Sequence, residues 1–182
     1  MSRKKAKRKR SATETLGLVA LGIFVVAIIW LAFFTSPQGP GQTTTVTRAT
    51  EFTLTDVDGN VFRLADQRGK VVVLEFMRTT CGACITQEPY LRELRSRLGN
   101  DVVMVMISVD PTGDTDGILR SHRDENVMGW IAIRDTAQIY KEYSVQATPT
   151  IFIIDKDGYI RYRHEGVTQS SILISEVETL TK

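Results

Sequence analysis

The chain has 182 residues, 42% of them apolar and 24% charged, with a formal net charge of +2. That length suggests one ordinary domain with something attached. The charge is unevenly placed: seven Lys/Arg stand between Arg3 and Arg10, whereas residues 49–182 carry fifteen Lys/Arg against twenty Asp/Glu, a net −5. Such an acidic stretch offers no nucleic-acid surface, and its 134 residues can bury a full core without disulfide staples.

Residues 1–15 form a basic tail. Residues 16–34, LGLVALGIFVVAIIWLAFF, then run for nineteen residues without a charge. As a helix this stretch is about 28 Å long, close to the ~30 Å hydrocarbon core of a bilayer. A cleaved secretory signal is the alternative. The run exceeds the usual apolar region of about 7–15 residues, however, and no clear A-x-A site follows it. No Cys follows either, which excludes lipoprotein processing. The pattern predicts an uncleaved transmembrane anchor. Seven Lys/Arg precede it and only Arg48 follows within about twenty residues. The positive-inside rule then puts the tail in the cytoplasm and residues 35–182 outside, with the chain single-pass in the cytoplasmic membrane. Residues 35–48, rich in Pro, Gly, Thr and Gln, read as a flexible linker.

Residues 52–55 and 61–64 flank Asp56-Val57-Asp58-Gly59-Asn60, a hairpin signal. Residues 71–76 are apolar and β-branched apart from Glu75, as in a central strand covered on both faces. A helix is predicted over 83–98, with Tyr90, Leu91, Leu94 and Leu98 at helical spacing and Gly99-Asn100 as its stop. Residues 102–109 read as a second buried strand, ended by Asp110-Pro111. Asp114 or Thr115 can cap a helix over 118–126. A short strand over 130–133 and a short helix over 137–143 follow, with Trp130 and Tyr140 in the core. Residues 150–154 and 159–163 flank a second Asp-Gly turn. A closing helix spans 170–180, with Ile172, Leu173, Val177 and Leu180 inward. Strands alternating with helices, then a hairpin and a last helix, predict an α/β layered domain with a mixed sheet.

Cys81 and Cys84 are the only cysteines, three apart at the start of the first helix. Backbone N–H groups and the helix dipole there favour an anion, so the first thiolate is stabilised. The second sulfur lies one turn inside, near enough to attack a mixed disulfide at the first. A static disulfide is the plain alternative, but a loop this short restrains little of the unfolded chain. Half of a zinc site is another; it needs two more ligands, and only His122 and His164 are available, at unpaired spacing. Both histidines read as surface residues. Arg78 is a candidate to lower the Cys81 pKa, or a solvated loop charge. Glu75 must be hydrogen-bonded, paired with a Lys or Arg, or protonated, because burying a bare charge is costly.

Residues 49–182 resemble the thioredoxin fold, and in particular the membrane-anchored TlpA/ResA-like thiol–disulfide oxidoreductases. The resemblance is carried by Cys81-Gly82-Ala83-Cys84, by Pro89 five residues later, by Ala147-Thr148-Pro149-Thr150 before a strand and an Asp-Gly turn, and by the leading hairpin with LADQRGKVVVLEF. It implies a central mixed sheet flanked by helices, with an N-terminal β-hairpin. It implies Cys81 as nucleophile, Cys84 as resolving thiol, Glu75 as proton relay to Cys84, and a cis Pro149. Thr148, with Thr80, Gly82 and Ala83, would face the substrate. The redox-active disulfide would be the only cofactor, with no metal. Partners would be protein thiol or disulfide clients and a membrane thiol electron donor. The commonest role in the family is that of a specific reductant, as in cytochrome c maturation, with an oxidant role open. Two departures stand out: Thr80 where such sites carry Trp, and Gly-Ala where they carry Gly-Pro or Glu-Pro.

Two other functions are weighed. Residues 105–111, VMISVDP, resemble the Sco-type copper carriers, but those have Cys-x-x-x-Cys and a distal His, and the loop at Ala147-Thr148-Pro149 has none. A peroxiredoxin-like peroxidase has Thr or Ser three residues before its reactive Cys, where this chain has Arg78.

Overall fold

The computed structural model describes residues 46–99 and 102–182. The basic tail, the expected anchor and most of the linker lie outside the described residues. Among those described, no helix is long and apolar enough to cross a membrane. The last two residues assigned to the linker form a short strand, β1 (Thr47–Arg48).

β2 (Thr53–Thr55) and β3 (Val61–Arg63) make the leading hairpin, with Leu54 opposite Phe62. Its turn is built as the Asp-Gly signal implies. The Asp56 carboxylate accepts the Asp58 and Asn60 amides at 2.9 and 2.8 Å, and Gly59 takes a left-handed φ of +89°. A 3₁₀ turn (Leu64–Gln67) leads into β4 (Val71–Met77). Then follow α1 (Gly82–Leu98), β5 (Val102–Ser108), α2 (Asp116–Glu125), β6 (Ile131–Arg134), α3 (Ile139–Glu142), β7 (Thr150–Ile154), β8 (Tyr159–Glu165) and α4 (Ser170–Thr181).

The main sheet has six strands in the order β1-β8-β7-β4-β5-β6. β4 and β5 are parallel, as are β5 and β6, while β7 runs antiparallel to both β4 and β8. This is the expected mixed α/β sheet with its N-terminal hairpin. All seven residues of β4 are buried, which explains its unbroken apolar run. Val71, Val73 and Met77 pack on one face with Cys84, Leu91, Leu94, Leu173 and Val177. Val72, Leu74 and Phe76 pack on the other with Phe52, Phe62, Leu64 and Phe152. On that second face the rings of Phe52, Phe62, Phe76, Tyr143 and Phe152 lie with centroids 5.2 to 6.3 Å apart, holding the hairpin to the sheet.

Two expectations about helix faces are corrected. The buried stripe of α1 is Cys84, Gln87, Glu88, Leu91 and Leu94, with Tyr90 only half-buried. Gln87 is tolerated there because it exchanges two hydrogen bonds with the Thr168 backbone, at 3.0 and 2.6 Å. On α4, Leu173 and Val177 are buried, but Ile172 is 46% exposed, since it sits about 100° around the helix from Leu173.

Glu75 faces the first core, on the side of β4 shared with Val73 and Met77, and is 3% exposed. Its Oε1 has no hydrogen-bond partner, so the paired-with-Lys-or-Arg alternative does not hold. Burial, reinforced by the negative charges of Glu88 and Cys81, pushes its pKa from 4.5 to about 8. Between those two values the folded chain keeps a proton that the unfolded chain has lost. Stability therefore falls as pH rises from 4.5 to about 8. Glu75→Gln is expected to remove that slope. Urea denaturation should show the variant gaining on the wild-type chain by about 4 kcal/mol more at the alkaline end of that window than at the acid end.

Candidate active site

β4 ends at Met77, and the loop Arg78-Thr79-Thr80 delivers the chain to the N-terminus of α1. Cys81 is the N-cap, with extended φ −89° and ψ 112°, and its sulfur accepts the Cys84 amide at 3.2 Å. Sulfur thus stands where a Ser, Thr or Asp oxygen would satisfy an orphan N–H. From the other side, the Thr148 hydroxyl donates to Cys81 Sγ at 3.4 Å, and the Cys81 thiol lies 3.4 Å from the Thr148 carbonyl. Thr148 reaches this point because β7 pairs with β4, with Thr150 opposite Phe76. The Thr148–Pro149 bond is cis, Pro149 is buried, and the Thr150 hydroxyl donates to the Ala147 carbonyl at 2.7 Å.

The two sulfurs are free thiols in opposite environments. Cys81 is half-buried. Its burial opposes ionisation, but hydrogen bonds from the Cys84 thiol, the Thr148 hydroxyl and the Cys84 and Ala83 amides outweigh that and bring its pKa below the usual thiol value. Cys84 is fully buried. Burial first, then its hydrogen bond to Cys81, push its pKa up to about 12. One thiol is therefore accessible and readily ionised, and the other is held neutral one turn away. Such a pair can attack a disulfide and then resolve it. Glu75 lies in the same core as Cys84.

Thr80, Gly82 and Ala83 are all exposed around Cys81. Beside Thr148 a groove of about 290 Å³ runs between Arg78, Asp110, Tyr140, Val145 and Gln146. Arg78 is exposed and borders this groove. Tyr140 is half-buried at its edge rather than in the core, while Trp130 is buried as expected. Neither histidine is a plain surface residue. His122 is 14% exposed, with Nε2 2.9 Å from Glu88 Oε1, because the last turn of α2 lies over the buried face of α1. His164 is 12% exposed and hydrogen-bonds Glu176 of α4 at 2.7 Å. Among the described residues no three of His, Cys, Asp or Glu converge as a metal ion would need.

Of the two cap candidates before α2, Asp114 and Thr115, the second is the one used. Thr115 caps α2, accepting the Ile118 amide at 3.4 Å. Asp114 is 2% exposed and instead accepts the Thr79 amide at 3.1 Å, the Thr79 hydroxyl and the Ser108 hydroxyl. It ties the loop that presents Cys81 to the end of β5. Removing it would leave the buried Ser108 hydroxyl without this acceptor, at a cost of about 1–3 kcal/mol, and free the part-buried Thr79 donors. The available signal was the adjacent Asp-Thr pair, of which only one residue can cap.

Comparison with known proteins agrees with this geometry. The Redoxin family model matches residues 44–180. The thiol–disulfide oxidoreductase ResA of Geobacillus kaustophilus (strain HTA426) is 30% identical over 182 residues, covering 96% of this chain and 98% of its own. The thioredoxin-like protein YneN of Bacillus subtilis (strain 168) is 26% identical over 119 residues, covering 65% of this chain and 70% of its own. Among solved structures, a thiol:disulfide interchange protein of the thioredoxin family from Chlorobium tepidum TLS superposes with a TM-score of 0.67 at 19% identity, over 75% of this chain and 97% of that one. A DsbF homologue from Corynebacterium diphtheriae gives 0.67 at 19% identity, over 80% and 98%. Two cysteines in opposite electrostatic states on a thioredoxin-like fold, in a chain that the Redoxin model spans almost from β1 to the end of α4, place this protein in the Redoxin family, among the TlpA/ResA-like thiol–disulfide oxidoreductases.

Proposed function

We propose that the chain is a membrane-tethered reductant of extracytoplasmic protein disulfides, working through the Cys81-Gly82-Ala83-Cys84 pair. The observation that carries this reading is the asymmetry of the two thiols: Cys81, despite partial burial, is lowered by donors from the Cys84 thiol, Thr148 and the helix N-terminus, and Cys84 is buried and raised to about 12. The Cys81 thiolate attacks one sulfur of a client disulfide. A mixed disulfide forms, and the other client sulfur leaves as a thiolate that takes a proton from water. In molecules whose Glu75 is ionised, a fraction that grows as pH approaches about 8, Cys84 then gives its proton to the Glu75 carboxylate and attacks Cys81 Sγ. The second client thiolate leaves, and a Cys81–Cys84 disulfide remains. Two electrons have passed from the protein to the client. A membrane dithiol carrier would return them, and cytochrome c maturation is the process in which the family most often does such work.

The client segment is taken to lie in the groove beside Thr148. There the exposed Thr80, Gly82 and Ala83 meet its side chains, while the backbone before the cis Pro149 pairs with it. The tether is supported by the uncharged stretch over 16–34 behind a basic tail.

Three measurements test the reading. Cys84→Ser should accumulate mixed disulfides with a disulfide-bonded client such as insulin, all through Cys81, and Cys81→Ser should form none; mixed disulfides formed through Cys84 in the Cys81→Ser variant would overturn the attack order. The reduction potential should fall near that of thioredoxin, about −270 mV, and a value near about −120 mV would make the protein an oxidant. The full chain should stay in the membrane pellet through carbonate extraction, with residues 35–182 open to added protease in spheroplasts, whereas a chain lacking residues 1–34 should not pellet.

A further inference from the structure

Arg78 stands three residues before Cys81, and neither the fold nor the exchange chemistry gives its side chain a task. We propose that its guanidinium selects clients that carry a carboxylate two or three residues from the cysteine attacked. This selection deepens the proposed function and rests on that reading, because it assigns the class of client segment that the groove beside Thr148 takes.

Among the described residues every other arginine is placed against a carboxylate, a backbone carbonyl or an aromatic ring. The Arg78 side chain is exposed and has no such partner. Residues 49–182 hold twenty acids against fifteen bases, so a cation there has acids to spare, and one left unpaired is the exception. Its position is equally specific. The Arg78 carbonyl accepts the Cys81 amide at 3.1 Å, closing a turn that holds the two Cα atoms within about 7 Å. An extended client advances about 3.3 Å per residue, so the positions two or three residues from its attacked cysteine pass within reach of Arg78.

Arg78 and Thr148 line the same groove of about 290 Å³, and the Thr148 hydroxyl donates to Cys81 Sγ at 3.4 Å. A segment seated there meets the guanidinium and the reacting sulfur together. Asp110 is the other charged residue of the groove. It makes no ion pair among the described residues, and its Oδ1 accepts the Gly113 amide at 2.8 Å. The acid is engaged by its own turn, and the guanidinium is left for the client. Half-buried Tyr140 and buried Val145 add apolar surface, so charges that meet in the groove are partly shielded from water and interact more strongly than in the open. A guanidinium is a permanent cation whose forked N–H groups match a carboxylate. An acidic client is drawn to it and a basic one is repelled, and the discrimination comes from both. Arg78 is a specificity-determining residue in this scheme, its side chain acting on the client segment.

The test uses the reduced full chain in non-ionic detergent micelles and three symmetric peptide dimers, each linked by one disulfide. The peptides are identical except for Asp, Asn or Lys two residues to either side of the cysteine. Rates of reduction are divided by those with dithiothreitol, which removes the effect of each charge on the disulfide itself. At about 0.01 M salt an exposed ion pair is worth about threefold, so the Asp dimer should outpace the Lys dimer by about tenfold once attraction and repulsion are combined. The gap should close at about 1 M salt. Arg78→Gln should remove most of it, Arg78→Glu should reverse it, and Arg78→Lys, which keeps the charge without the fork, should retain a part. An Asp-to-Lys ratio of one or less in the wild-type chain overturns the inference. So does a ratio that Arg78→Gln leaves unchanged, the result expected if the cation acts on Cys81 itself or only shapes the loop, since either affects all three dimers alike. The direction of electron flow fails separately. If the chain is an oxidant, the oxidised protein is mixed with the reduced peptides, and the same order of rates upholds the selection while the reductant role is lost. Exchange with no peptide in either direction overturns both.

Discussion

The antiparallel pairing of β7 with β4 is the constraint on which the site depends. It sets Phe76 opposite Thr150, so the residues just after β4 and those just before β7 meet at one edge of the sheet. Cys81 and Thr148 are 67 positions apart in sequence, yet their contacts follow from this register alone. Slipping the register by one residue would turn Glu75 to the other face and move the cis Pro149 turn away from the sulfur. The reactivity of the pair is thus a property of the completed sheet. The loop between the partners is long, so it is assembled only once the non-local strand pairing has formed.

The same geometry gives two identical side chains opposite chemistry. Cys81 sits at the open end of α1, where helix amides and the Thr148 hydroxyl converge, and these donors outweigh its partial burial. One turn further in, Cys84 is buried in the core and hydrogen-bonds Cys81, and the balance tips the other way. The buried carboxyl group on the preceding strand, β4, is a cost of this arrangement. Glu75 weakens the fold as pH rises: Oε1 has no hydrogen-bond partner and Glu88 opposes its ionisation. Under the proposed function, proton chemistry accounts for a residue that destabilises the sheet at its centre.

Most of the architecture was legible because it rests on local patterns. The seven buried residues of β4 appear as an unbroken apolar run, the Asp-Gly pairs mark two turns, and the Cys pair opens a helix. What escaped depends on packing between elements. A stripe read by counting apolar residues begins at Tyr90 and overlooks Gln87 and Glu88, although positions 84, 87, 88, 91 and 94 share one helical face. Polar members of such a face become visible only when their partners are known, and these come from the Thr168 backbone and from α2. His122 shows no ligand spacing in the sequence because its partner is a carboxylate on another helix. Asp114 looks like a cap because nothing local reveals that Thr79 and Ser108 converge on it. The cis Pro149 was legible only through family resemblance, since no local pattern specifies an X-Pro isomer.

The departures at Thr80 and Gly82-Ala83 take on a definite meaning once their exposure is known. All three residues face solvent at the rim of Cys81, so they do not enter the core that raises Cys84 and Glu75. Ala83 touches the chemistry only through its amide, which any residue other than proline would supply equally. Glu75 and Cys84 are buried and leave the client surface untouched. Under the proposed function the protein therefore has two separable controls. The rim decides which disulfide is presented to Cys81, and the buried Glu75 carboxyl decides how readily Cys84 is freed to follow. Changes at the rim can then alter client choice without altering the pH dependence of resolution, and changes at Glu75 can do the reverse.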